Sequence, residues 1–162
     1  AISILKKNKL KHIALSFVNN EKEVIEVRKI LGPKTFIISK IETKNAVKNI
    51  KKISKYSNAL LIDRGDLSRE IPIELIPFAQ EKILYFSRKN KVSTYIATNL
   101  LETMISENQP TRAESHDIYS SLKQGAKGLV LAAETAIGKD PISCVKFLKK
   151  CIKAFAKKNN NF

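Results

Sequence analysis

The residues able to do chemistry in this 162-residue chain fall at the ends of apolar runs. FIISKIE carries Lys40 and Glu42. ALLI runs straight into Asp63, Arg64, Gly65 and Asp66. STYIA hands over to Thr98, IAL to Ser16, and GLVLA to Glu134. Glu42 and Asp66, on neighbouring strand ends, offer the hard oxygens that hold Mg²⁺ or Mn²⁺. Lys40 beside them can stabilise negative charge developing on a phosphoryl group. Gly65 lets the backbone come close to a ligand, and the N–H groups after it, opening a helical turn, can cradle a carboxylate or phosphate. Two plainer readings stay open: Lys40 with Glu42 as a surface salt bridge, and Asp66 as a helix N-cap.

Those residues need elements to hold them. Ile13–Phe17 reads as a buried strand. Asn20 with Glu23 reads as a capping box for a helix that stops at Gly32-Pro33. Phe36–Ile41 is a second strand, and Val47, Ile50 and Ile53 recur at helical spacing in a lysine-rich face. Ala59–Ile62 is a third strand. Ile73–Asn90 reads as one helix with Pro77 in its first turns, and Ser93–Ala97 as a fourth strand. Thr111 with Glu114 is a second capping box, for a helix ending at Gly125. Gly128–Ala132 is a fifth strand. Asp140-Pro141 opens a last helix to about Lys157, and the tail KKNNNF should fray. The order is βα five times over. Unbroken apolar strands between amphipathic helices imply an α/β fold with parallel strands, whose C-terminal ends share one edge, where such folds bind ligands. One domain, residues 1–162, is the expectation at this length.

Composition narrows the classes. A hydrophobic share of 43% supports a core, and no run of about 18 apolar residues exists to span a membrane. The first residues, AISILKKNKLK, hold no apolar stretch long enough for a signal peptide. Cys144 and Cys151 on one helix would stand about 10 Å apart, too far to bridge, which suits a reduced, cytoplasmic setting. The net charge of +15 suits a polyanion such as nucleic acid. Yet lysine outnumbers arginine 25 to 5 and recurs along the whole chain without forming a block, as an AT-rich genome writes any protein. No aromatic-interleaved basic motif and no zinc-ligand spacing is present. A nucleic-acid module therefore ranks below an enzyme or a binding remnant.

The longer motifs make a resemblance. ALSFV, VRKILG, IISKIE, Asp63-Arg64-Gly65-Asp66-Leu67 with EIP, IATNLLETMI, QPTRAE and AAETAIGKDP follow one another as in the barrel of pyruvate kinase, from about Lys11 to Phe155. The resemblance implies strands four to eight of a (β/α)8 TIM-type barrel. It also implies phosphoryl transfer from phosphoenolpyruvate to ADP, giving pyruvate and ATP, with Mg²⁺ (or Mn²⁺) and, in the family, K⁺, whose ligands lie outside this chain. By that resemblance Lys40 is the lysine that stabilises the phosphoryl in flight, and Glu42 and Asp66 are the metal ligands. The Gly65–Asp66 backbone receives the substrate carboxylate, and Thr98 contacts the substrate near the enolate.

The chain also departs from the pattern. Asp63 stands where the family usually has alanine, and it is expected either to repel an anionic substrate or to turn away and pair with Arg64 or a lysine. Alanines 132 and 133 replace a Ser-Gly pair, which puts a proton relay in doubt. Ser68 replaces a glycine, and Asn99 a glutamine. The first three strands, the lid domain and the C-terminal regulatory domain of the family are not represented. Two expectations follow: a chain incomplete and inactive in isolation, which works with a missing N-terminal part or as a homo-oligomer, or an inactive remnant acting as a binding or structural module. His12 and His116 read as exposed or interface residues, and Arg112 as a subunit contact or an ion pair with Glu114 or Asp117.

Overall fold

The structure, a computed structural model, describes residues 2–8 and 10–159. It divides into two compact units, one reaching to Tyr95 and the other beginning at Ile96.

The first unit opens with α1 (Ile2–Lys7) and β1 (His12–Leu15), followed by α2 (Glu21–Leu31), β2 (Phe36–Ile41), α3 (Lys44–Tyr56) and β3 (Ala59–Asp63). A single turn, α4 (Arg64–Leu67), leads through a 3-10 turn at Ile73–Leu75 to α5 (Ile76–Lys89). Strands β1, β2 and β3 are parallel neighbours, with Leu15 opposite Ser39, Lys40 opposite Leu61 and Ile41 opposite Ile62. Ile37 and Ile41 of β2, Leu60 and Ile62 of β3, Ile50 and Ile53 of α3, and Ile83 and Leu84 of α5 are all fully buried. They form the apolar layer on which the strand ends rest.

At the N-terminal ends of the strands one arginine ties three connections together. Arg28 donates to the carbonyls of Thr35 at 2.7 Å and Tyr56 at 2.9 Å, and to Asn58 Oδ1 at 2.8 Å. The same Oδ1 accepts the Ile37 N–H at 2.9 Å. These bonds fix the β2–β3 register from below, so the polar residues past their C-terminal ends arrive side by side.

The second unit holds a 3-10 turn at Glu102–Ile105, α6 (Arg112–Lys123), β5 (Gly128–Val130), α7 (Ala133–Ala136) and α8 (Pro141–Asn159); β4 (Ser93–Ala97) runs into it from the first. Leu100, Leu101, Met104, Ile118, Cys144 and Leu148 form its core. Among the described residues no helix is long and apolar enough to cross a membrane.

Several boundaries differ from the sequence reading. The first strand spans His12–Leu15, because Phe17 turns into the left-handed region at φ 53°. At α2 the Asn20 side chain caps Lys22 N–H, but Glu23 reaches back to Asn19 N–H at 2.8 Å, so the expected box closes one residue early. The helix expected over Ile73–Asn90 starts as a 3-10 turn and becomes α-helical at Ile76, just before Pro77. The fifth strand stops at Val130, since Ala132 already adopts φ −132°, ψ −106°. The Thr111–Glu114 box is complete. Cys144 and Cys151 both lie on α8 and carry free thiols. Of the tail expected to fray, residues 160–162 lie outside the described residues.

Candidate functional site

The β2–β3 pairing builds the site. Ile41 lies opposite Ile62, so Glu42, just past β2, and Asp63, the last residue of β3, stand abreast. Lys40, two residues before Glu42, shares its face of the strand. The outcome is a compact charged group: Lys40 Nζ lies 2.5 Å from Glu42 Oε1 and 3.3 Å from Asp63 Oδ2. One carboxylate oxygen from each of Glu42, Asp63 and Asp66 lies within 4.8 Å of the others.

Burial separates this group from a surface salt bridge. The Glu42 side chain is 0% exposed, Asp63 14% and Lys40 23%. Burial pulls the Lys40 ammonium down, but the close Glu42 and Asp63 carboxylates outweigh it and hold its pKa above the ordinary lysine value. Glu42 Oε2 accepts the Phe17 N–H at 2.5 Å. Its Oε1 is buried and carries the ion pair to the Lys40 ammonium. A buried carboxylate that puts one oxygen on a lysine ammonium rather than on backbone, in a trio of acids with oxygens within 4.8 Å, fits a hard divalent cation that takes oxygen ligands.

Asp66 lies inside α4, with Oδ1 3.4 Å from Arg69, so it is not a helix N-cap; Asp63 holds that position without a capping bond. Asp63 pairs with a lysine, as one of its two expected readings had it, but that lysine is Lys40, and the carboxylate stays among the acids. Gly65 sits in the single turn of α4, whose carbonyl takes the Ser68 hydroxyl at 2.9 Å. Ser68 thus closes the turn that carries Gly65 and Asp66. Neighbouring caps hold the frame. Thr43 Oγ1 accepts Ala46 N–H at 3.0 Å and donates to Asn19 Oδ1 at 2.9 Å, and Glu70 accepts Lys44 N–H at 2.9 Å. The threonine directly after Glu42 was the available sequence signal for that cap; the Phe17 N–H has none.

Thr98 and Glu134 belong to the second unit. Thr98 and Asn99 both adopt left-handed backbone, φ 67° and 54°, and Thr98 Oγ1 donates to the Ala97 carbonyl at 2.6 Å. A β-branched residue there is strained, a condition that clusters at functional positions. Glu134, 2% exposed, is structural: its carboxylate accepts Leu101 N–H at 3.3 Å and Ala132 N–H at 2.9 Å. Burial first, then the nearby Glu134 charge, keep the Cys144 thiol above its ordinary pKa. His12 is exposed and its ring lies 5.2 Å from Phe36; His116 is also exposed, 6.2 Å from Tyr119. Arg112 is exposed in the first turn of α6.

This α/β chain gathers a lysine and three carboxylates at the C-terminal ends of parallel strands, the edge where such folds bind ligands. Comparison with known proteins gives the family. The barrel-domain model of pyruvate kinase matches residues 2–145. The chain is 43% identical over 145 residues to the pyruvate kinase of Methanocaldococcus jannaschii, covering 88% of this chain and 32% of that protein. It is 41% identical over 148 residues to that of Thermotoga maritima, covering 90% and 32%, and 39% identical over 160 residues to that of Borreliella burgdorferi, covering 96% and 34%. The chain belongs to the pyruvate kinase family, through its barrel domain. It spans about a third of the length of these relatives. The domain is a TIM-type barrel, to which this chain brings five βα units.

Proposed function

We propose that the two units form one domain contributing the phosphoryl-transfer part of a pyruvate kinase site, acting in the cytoplasm on phosphoenolpyruvate and ADP. The observation that carries this reading is the convergence of Lys40, Glu42 and Asp66 past β2 and β3. Lys40 offsets the charge of the phosphoryl group as it leaves the enol oxygen of phosphoenolpyruvate for the terminal oxygen of ADP. The Gly65–Asp66 backbone receives the substrate carboxylate, and Thr98 contacts the enolate that accepts a proton to become pyruvate. Glu42 and Asp66 would hold Mg²⁺, which when bound supplies positive charge at the phosphoryl oxygens. The family's K⁺ draws no ligand from the residues assigned here.

Five strands do not close an eight-stranded barrel. The chain alone is therefore expected to make no detectable ATP from phosphoenolpyruvate and ADP; measurable turnover would overturn that. A chimera tests the chemistry. This chain replaces the aligned segment of the Thermotoga maritima pyruvate kinase, and ATP formation is followed by a coupled assay. We expect turnover that falls at least a hundredfold with Lys40→Met. A chimera that folds, stays inactive, and gains activity only with Asp63→Ala would favour the second reading, a remnant retained for binding or structure. That reading draws on the Asp63 carboxylate 3.3 Å from Lys40.

A further inference from the structure

Asp63 is the residue at the site that the assigned roles leave unexplained. It stands abreast of Glu42, contributes an oxygen to a trio within 4.8 Å that includes Asp66, and lies 3.3 Å from the Lys40 ammonium. Three carboxylates against the Lys40 ammonium and the buried Arg64 guanidinium of the same turn leave a formal excess of one negative charge (three minus two) in a partly buried space. The outlying Arg69, 81% exposed, does little to offset it. Like charges this close in a low dielectric favour capture of a compact cation. Lys40 already occupies that role from within the chain: its ammonium sits between Glu42 Oε1 and Asp63 Oδ2.

We propose that Asp63 is a third carboxylate ligand of the divalent-cation site, and that Lys40 is the site's tethered counter-ion until a cation enters. This rests on the reading of Glu42 and Asp66 as cation ligands. Mg²⁺ sites that offer one or two carboxylates usually lean on substrate phosphates to complete them. A third carboxylate lets the cation bind before any phosphoester arrives. Its entry displaces the Lys40 ammonium from Glu42 and Asp63, leaving that charge available to a phosphoryl group. The class of ligand is a hard divalent cation, Mn²⁺ or Mg²⁺.

The experiment is titration of the full 162-residue chain with Mn²⁺ alone, by calorimetry and by the electron paramagnetic resonance signal of free Mn²⁺, without nucleotide or phosphoester. We expect one Mn²⁺ per chain, about tenfold weaker binding in Asp63→Ala and in Asp63→Asn, and several-fold tighter binding in Lys40→Met, which removes the competitor. Circular dichroism checks each fold, and Asp63→Asn, closest in shape, decides if the alanine variant does not fold. Binding within twofold of wild type in the Asp63 variants, together with loss in Glu42→Gln/Asp66→Asn, overturns the role of Asp63 and leaves the Glu42–Asp66 site standing. Tighter binding without the Asp63 carboxylate overturns it as well. Unchanged or weaker binding in Lys40→Met overturns the counter-ion. No Mn²⁺ bound by the wild type, or no change in the double variant, removes both the proposal and the cation site beneath it.

Discussion

Two buried glutamates, each just past a strand, show how one residue type serves two ends. Glu42 is 1% exposed and Glu134 2%. Both oxygens of Glu134 are used by backbone: Leu101 N–H on one, Ala132 N–H on the other. Such a carboxylate joins two loops and has little left to offer a ligand. Glu42 gives one oxygen to Phe17 N–H and the other to the Lys40 ammonium, within a trio of acids. A glutamate with one oxygen uncommitted to backbone can bind. The difference lies in which partners the fold supplies, since burial is the same.

The sharpest way to break the comparison is to remove one charge from each. Glu134→Gln turns an acceptor into a donor facing an N–H, leaving a buried backbone group unsatisfied. We expect a loss of about 3 kcal/mol. Glu42→Gln keeps an acceptor for Phe17 N–H and relieves repulsion among the acids, while Lys40 retains Asp63 and some solvent. We expect a change within about 1 kcal/mol. Urea denaturation followed by circular dichroism measures both, a suitable probe since the chain has no tryptophan. The reverse order of stabilities would put the structural carboxylate at position 42.

Gly138 gives a second, smaller contrast. A Cβ there would lie 2.2 Å from the Glu134 carbonyl oxygen and 3.0 Å from its carbon, backbone atoms that cannot swing aside. Gly138→Ala therefore pushes on the turn that aims Glu134, at a cost of about 1–3 kcal/mol. If that cost shrinks to nothing in a Glu134→Gln background, the strain acts through the carboxylate; if it persists, the turn itself needs the glycine. The double-mutant cycle distinguishes them.

Much of this frame was legible in the sequence, for physical reasons that also mark where legibility ends. Phe36–Ile41 and Ser93–Ala97 were read at their observed bounds because continuous apolar, β-branched runs ended in turn residues. The approach of Lys40, Glu42 and Asp66 followed from parallel strands ending on one edge. That Asp63 pairs with a lysine was foreseen, but which lysine was not legible: its direction depends on register, and register is set by contacts such as Arg28 and Asn58, thirty residues apart. Glu134 looked like a site residue because its partners are backbone N–H groups, which carry no letter in a sequence. Phe17 was hidden in the same way. The α4 turn was missed because four residues give no helical period.

The mildest prediction returns to a carboxylate that, like Glu134, is spent on backbone, but at the surface of the second unit. Glu114 accepts Thr103 N–H on one oxygen, and Thr111 N–H and hydroxyl on the other, each between 2.7 and 2.9 Å. Burial raises its pKa, but the hydrogen bonds from Thr111 and Thr103 outweigh that and hold it below the ordinary glutamate value. A folded-state pKa below the unfolded one means the contribution is complete above the unfolded value, about 4.3. It is lost as pH falls through the folded value. Glu114→Gln should therefore cost about 1 kcal/mol at pH 7 and progressively less below about pH 4, where the wild type has lost the same charge. Measured by urea denaturation from pH 7 to 3, a gap between the two proteins that stays constant with pH would show that shape, and not charge, closes this cap.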